Sequence, residues 1–514
     1  MQIVKSLGLL SVLIIATVLI PAQADTNPPA DDDTVRAPAA EARASTSHKT
    51  TIAGRAYAYE ATAGTLTIRD DEGKPTGSMF YVAYVVKPDK AAPKRPVTFL
   101  FNGGPGSASL WLNVGGLGPM YAVTDAPRAT GPAPYTFVPS PHSLLDKTDL
   151  VFLDAIGTGY SRTLGTAKGS DFWGVDADVD AFARAISRYV SVNQRWGSPK
   201  FLFGESYGTT RAAALVYKLQ NQGMQFNGVM LLSSILNFAV SMPGIDQDYI
   251  NNVPSFAATA LYHGKLEQKS QDLLAFLREV RDFAQGPYAT ALGRGDRLSA
   301  GDEDAVAAQL SRYIGLSPDY LKRSRLRVGM EAFRGELLRD RGLVTGRFDS
   351  RFTAPAAYVE TSGAFDPATN DPATAGVTSA YLSSWRDHLS SDLGYVTELA
   401  YRPLYNMVIS AAWEWRHKAP GFDEPLHTAN VALDLAAALR SNPQLKVLSM
   451  NGVYDLATPF FGAEFDLSHM LLSPELQKNI AYSYYESGHM TYADQKALAQ
   501  MKQDLSRFYG DTLP

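Results

Sequence analysis

The chain has 514 residues, 45% of them hydrophobic and 19% charged, with a formal net charge of -5. It can bury a large core, as one big domain or one domain with a sizeable insertion, and it has no lysine or arginine run long enough to track phosphates, so nucleic acid is not an expected partner. Cysteine is absent, which excludes disulfides and a lipid-modified cysteine and leaves stability to packing.

Residues 1–24 predict a signal peptide: Lys5 precedes an apolar run from Leu7 to Ile20, followed by Ala22-Gln23-Ala24, a small-x-small cleavage pattern. The run is shorter than the roughly 20 residues of a bilayer span and ends at Pro21. The expected location is therefore exported, periplasmic or secreted, with no membrane attachment after cleavage. Residues 25–49 are polar, Pro- and Ala-rich and aperiodic, which predicts a disordered lead-in.

Residues 50–237 predict the first part of an α/β core. Arg55 to Val86 alternates with period two, broken by Gly64 and by the turn cluster Asp70–Gly77, as in an antiparallel meander. Short apolar runs then follow at 97–101, 149–154, 200–204 and 228–233, and again at 446–450 and 480–485, as expected of strands buried on both faces. Val175, Val179, Phe182, Ile186 and Tyr189 mark one face of an intervening helix, and Ala212, Leu215, Val216 and Leu219 that of another. This alternation predicts a doubly wound, mostly parallel sheet entered through an antiparallel N-terminal edge. It lapses over residues 238–425, an inserted, mainly helical lid with an amphipathic helix at Leu266–Phe283 and a Pro/Gly/Asp-rich loop "GAFDPATNDPATAG". Residues 426–514 return to the core.

"FLFGESYGTTRAAALV" sets Gly204-Glu205-Ser206-Tyr207-Gly208 between a buried strand and a helix, the strand–turn–helix setting in which G-x-S-x-G exposes a nucleophilic serine. A serine hydroxyl is nearly inert at neutral pH and needs a base, itself oriented by a third group. Of 8 histidines, His489 in "YYESGHMTY" is best placed, after a predicted strand and beside Gly488. His48 falls in the lead-in, His142 in a proline-rich loop, His263, His388 and His417 in the insertion, and His427 and His469 on expected helices. Asp455, after the strand "KVLSM", is the orienting carboxylate, with a turn cap as its plainer role. Upstream, "FNGGPGSASL" bares its backbone: the N–H groups of Gly104 and Tyr207 would form an oxyanion hole. No Gly-Lys-Ser/Thr follows, so it is not a phosphate loop.

"NGGPGSAS", "SPHSLLD", "DAIGTGYSR", "GESYG", "NGVYDLATP" and "SGHM", in this order, resemble the serine carboxypeptidases, in particular their secreted bacterial branch, over Val97 to Gly244 and Lys446 to Tyr492. The resemblance implies an α/β-hydrolase fold, Ser206 as nucleophile, His489 as base, Asp455 as its orienter, peptide or protein C-termini as substrates, and no cofactor or metal. It also implies that Asn102, Gly103 and a protonated Glu205 bind the substrate's terminal carboxylate, which favours acid pH. The chain departs from the family at Gly116, where relatives often carry a second glutamate, at Leu100, where they carry tryptophan, and at Ser107 and Thr458, where they carry cysteines. Without the partner carboxylate Glu205 loses one source of a raised pKa. An esterase or acyltransferase on the same scaffold, and an inactive peptide-binding relative, are the alternative functions.

Overall fold

The computed structural model describes residues 35–87, 94–267, 272–356 and 371–513. The expected signal peptide and the first part of the lead-in lie outside them. Among the described residues fourteen strands follow in chain order: β1 (Arg43–Ile52), β2 (Arg55–Arg69), β3 (Pro75–Val86), β4 (Val97–Phe101), β5 (Met120–Ala122), β6 (Phe137–Pro139), β7 (Asp149–Leu153), β8 (Arg162–Thr163), β9 (Lys200–Glu205), β10 (Gly228–Leu232), β11 (Leu343–Thr345), β12 (Thr353–Pro355), β13 (Lys446–Gly452) and β14 (Ile480–Tyr485). The main sheet runs β1-β2-β3-β7-β4-β9-β10-β13-β14, with β8 beside β3. It is antiparallel from β1 to β7 and parallel from β7 onward.

Five of the six apolar runs become central strands because both faces are covered; the run 480–485 instead forms β14 at the edge of the sheet, with Ala481 and Tyr482 exposed. Val97, Phe99 and Phe101 face a core shared with the helices Val175–Val192, Tyr207–Asn221 and Ala432–Ser441, while Leu100, Phe201, Phe203 and Met450 face one shared with the C-terminal helix Gln495–Thr512. A third core, built on Val253, Phe256, Leu277, Leu310 and Phe333, belongs to the first part of the insertion and reaches the loop after β13 through Val453, Tyr454 and Phe460. The later part packs elsewhere: Tyr381 and Trp385 join the core beneath the C-terminal helix, and Ile409 and Trp413 join the other. The insertion is thus stitched onto the sheet rather than hinged above it.

Five local expectations need correction. Arg43–Lys49 of the lead-in is ordered as most of β1, paired in register with Ala58–Gly64; every second residue faces solvent and the inward ones are small or polar, so strand formation here rests on backbone hydrogen bonds that composition does not announce. Gly64 does not break β2, since it lies inside the strand where a Cβ would come 2.6 Å from the Ala42 carbonyl oxygen, and the hairpin turn ends at Lys74, before β3. The helix expected at Leu266–Phe283 starts only at Leu273, because the Asp272 side chain accepts the Ala275 N–H as its cap, and part of the interval lies outside the described residues. Of the loop 363–376, residues 363–370 lie outside the described residues; Asp371 then caps a helix with Pro372 in its first turn. His427 sits in a bend rather than a helix, and His469 just past the end of one.

Candidate active site

The carboxyl ends of the parallel strands carry the site. β9 delivers Ser206 at φ 59°, ψ -132°, between the strand and the helix Tyr207–Asn221. This strained elbow is held by the Ser206 N–H donating to the Leu232 carbonyl at 3.0 Å and the Thr209 N–H to that of Ser206 at 2.8 Å. Glycine is required on both sides: a Cβ at 204 would lie 2.1 Å from the Gly208 oxygen, and one at 208 would lie 2.6 Å from the Phe101 oxygen. A Cβ on Gly103 would sit 2.5 Å from the Tyr207 nitrogen, so the glycine-rich loop after β4 closes directly onto the elbow. The Tyr207 amide opens its helix and has no intrahelical acceptor, and Gly104, at φ 107°, turns the facing loop.

Asn102, Gly103, Gly104, Glu205, Ser206, Tyr207 and His489 line one cavity of about 530 Å³. Asp455, fully buried, stands behind His489, its Oδ2 2.7 Å from Nδ1. It is also a turn cap, because Oδ1 accepts the N–H groups of Ala457 and Thr458 at 2.8 and 3.0 Å; the two roles expected of it coexist on its two oxygens. With Nδ1 donating to Asp455, Nε2 is left to accept a proton. Burial disfavours the imidazolium, and the Asp455 charge and hydrogen bond more than offset this, so the His489 pKa lies above its ordinary value. No hydrogen bond joins the Ser206 hydroxyl to His489 among the described residues; in unliganded sites such contacts are commonly long.

Asn102 Nδ2 donates to Glu205 Oε2 at 2.6 Å, and its Oδ1 accepts the Leu112 N–H at 3.1 Å, which fixes the amide's orientation. Glu205 is buried, and burial pushes its pKa up to about 7, against the opposing pull of the His489 charge and of donors on Tyr492 and Asn102. The elevation expected to weaken without a second glutamate is therefore supplied by desolvation. Near Gly116 the room is taken from the C-terminal segment: a side chain there would meet Leu498 at 2.7 Å, and one at Gly115 would meet the Tyr492 ring at 2.2 Å. Leu100 points into the sheet core, and Trp111 contributes the indole on the cavity wall.

Several contributors escaped the sequence reading. The Tyr492 hydroxyl donates to Glu205, 2.9 Å from Oε2 and 3.1 Å from Oε1. Thr458, noted only as a departure from cysteine, places Oγ1 2.7 Å from Asp455 Oδ2 and 3.1 Å from His489 Nδ1. Phe348, from the insertion, lies over the imidazole with ring centroids 4.7 Å apart, and its carbonyl accepts the His489 N–H at 2.6 Å. "NGVYDLATP" already held Thr458 three residues beyond Asp455, and "YYESGHMTY" held Tyr492 three residues beyond His489; nothing in the sequence linked Phe348 to the site. Behind the elbow, the Arg211 guanidinium donates to the Asn102 carbonyl at 2.8 Å and pairs with Asp178 at 2.7 and 3.2 Å, all out of solvent. Asp178→Asn leaves that cation uncompensated and should cost about 3 kcal/mol of stability, read as a lower chemical-denaturation midpoint.

Residues 54–279 match the family model of the serine carboxypeptidases. This stretch belongs to that family of hydrolases. No curated protein matches the chain. In fold it is similar to KEX1(delta)p, a prohormone-processing carboxypeptidase from Saccharomyces cerevisiae, at 14% identity and a TM-score of 0.52 over 88% of this chain and 92% of that one. Proline iminopeptidase from Mycobacterium smegmatis matches at 13% identity and a TM-score of 0.36 over 87% of this chain and 98% of its own. The carboxypeptidase likeness and the sheet order give the α/β-hydrolase fold, with its antiparallel edge before the parallel strands. Among the described residues no helix is long and apolar enough to cross a membrane.

Proposed function

We propose that the protein is an exported serine carboxypeptidase acting through Ser206, His489 and Asp455. The observation that carries this reading is the buried Asn102–Glu205 pair, joined at 2.6 Å and next in chain to Ser206 on the wall of the same cavity. Ser206 Oγ attacks the last peptide carbonyl as its proton passes to His489 Nε2; the oxyanion is met by the Gly104 and Tyr207 N–H groups; the protonated imidazole gives its proton to the departing amino acid's nitrogen. Water, deprotonated by the same imidazole, then splits the acyl-serine ester and returns the hydroxyl. Export is supported by the apolar run ahead of Ala22-Gln23-Ala24.

An esterase or acyltransferase is the second reading, supported by the apolar wall of Ile235, Phe238, Leu404, Met407 and Ala411. One comparison separates them: a carboxypeptidase cleaves a blocked dipeptide with a free terminus and leaves its amide nearly untouched, whereas equal rates would favour the second reading.

The pH dependence has a definite sign. A protonated Glu205 can donate to the substrate's carboxylate and an ionised one repels it, so KM for free-acid peptides should rise as pH passes upward through about 7, approaching tenfold per unit beyond. Glu205→Gln keeps a donor at every pH and should flatten this rise; a KM profile unchanged by the substitution would remove Glu205 from substrate binding.

A further inference from the structure

The same cavity holds a cation that the proposed chemistry does not use. Arg347 sits on the turn between β11 and β12, whose backbone is pinned on several sides: its N–H donates to Asp371 Oδ1 at 2.6 Å, its carbonyl accepts the Leu456 N–H at 3.0 Å, and the Phe348 carbonyl accepts that of His489. The Arg347 side chain lines the cavity with Ser206, Glu205 and His489, its guanidinium 5.2 Å from the Phe348 ring centroid.

The guanidinium has no acceptor among the described residues, and Nε is buried. Neighbouring carboxylates are committed elsewhere. Glu331 pairs with Arg334 at 2.6 Å. Asp371 accepts the Arg347 amide, the Thr374 amide at 3.0 Å and the Thr374 hydroxyl at 2.8 Å. Asp455 holds His489 and its own turn. A desolvated guanidinium without an anion is costly to maintain, and burial already draws its pKa below the ordinary arginine range. Its planar fork matches a carboxylate in two parallel hydrogen bonds.

We propose that Arg347 anchors a carboxylate of the bound peptide, making the cavity selective for acidic substrates. This rests on reading the cavity as a peptide-hydrolysing site. The carboxylate has two sources, the substrate's free C-terminus or an aspartate or glutamate side chain beside the scissile bond.

The test is equilibrium binding by calorimetry to the full chain carrying Ser206→Ala, with and without Arg347→Met. One peptide set compares a blocked dipeptide of neutral side chains with its C-terminal amide. The other compares amidated peptides bearing Asp or Glu with their Asn or Gln counterparts. The expected result is that the affinity ratio of carboxylate to neutral partner falls on the order of 10- to 100-fold in one set, which also identifies the source. Arg347→Lys should recover part of that ratio, because it restores charge without the fork, and Arg347→Gln serves as a second charge-free variant should methionine impair folding. Ratios that are the same with and without the guanidinium, or no preference for carboxylates while Arg347 is present, would overturn the proposal. Failure of the nucleophile reading is distinguishable, since it would appear as a lack of fluorophosphonate labelling at Ser206 in the unsubstituted protein.

Discussion

Ser206→Ala should reduce turnover of blocked peptides by about six orders of magnitude and abolish labelling by a fluorophosphonate, with little change in thermal stability. The size of the effect follows from the division of labour in the cavity. His489, Asp455 and the two amides act on an acyl group only once an oxygen has attacked it, so with the hydroxyl gone they can assist nothing but water. Stability should hold because Ser206 serves the fold through its backbone, whose N–H and C=O bonds to Leu232 and Thr209 do not involve Oγ. Turnover retained in the purified variant would end the assignment.

Asp455→Asn should cost about four orders of magnitude in kcat, with a much smaller change in KM. An amide at 455 can still accept the Ala457 and Thr458 N–H groups through its oxygen, as Oδ1 does now. Its NH2 group would then face His489 Nδ1, forcing that nitrogen to accept and placing the ring's proton on Nε2, toward the serine it must deprotonate. The imidazolium formed on attack would also lose the adjacent charge that raises its pKa. A modest, pH-independent fall in kcat would show that Asp455 serves only its turn.

The central strands were readable because burial on both faces removes polar residues from them, so β4 matches its apolar run residue for residue. β1 was not, because an edge strand with Ala44, Thr46 and His48 inward carries no large apolar signature and owes its place to the backbone of β2. The site divides in the same way. Ser206, Asp455 and His489 each follow a strand, where local sequence predicts a loop at the sheet's carboxyl edge. Tyr492 reaches Glu205, and Arg347 the cavity, through tertiary packing, one from the segment leading into the C-terminal helix and the other from a turn about a hundred residues away from either flanking core strand. Glu205 shows a third case: the residue was legible, but the elevation of its pKa came from burial, a property of the whole fold.

The turn between β11 and β12 grips the loops bearing Asp455 and His489 at once, taking the Leu456 and His489 amides on successive carbonyls while Ser350 donates to the Tyr454 carbonyl. Asp455 and His489 are therefore registered against a common splint, and that splint is part of the very segment a protein engineer would exchange to alter substrate preference. A graft that replaces residues 238–425 wholesale should misalign the imidazole along with the walls, whereas a chimera that keeps 343–355 should retain reactivity while its specificity changes.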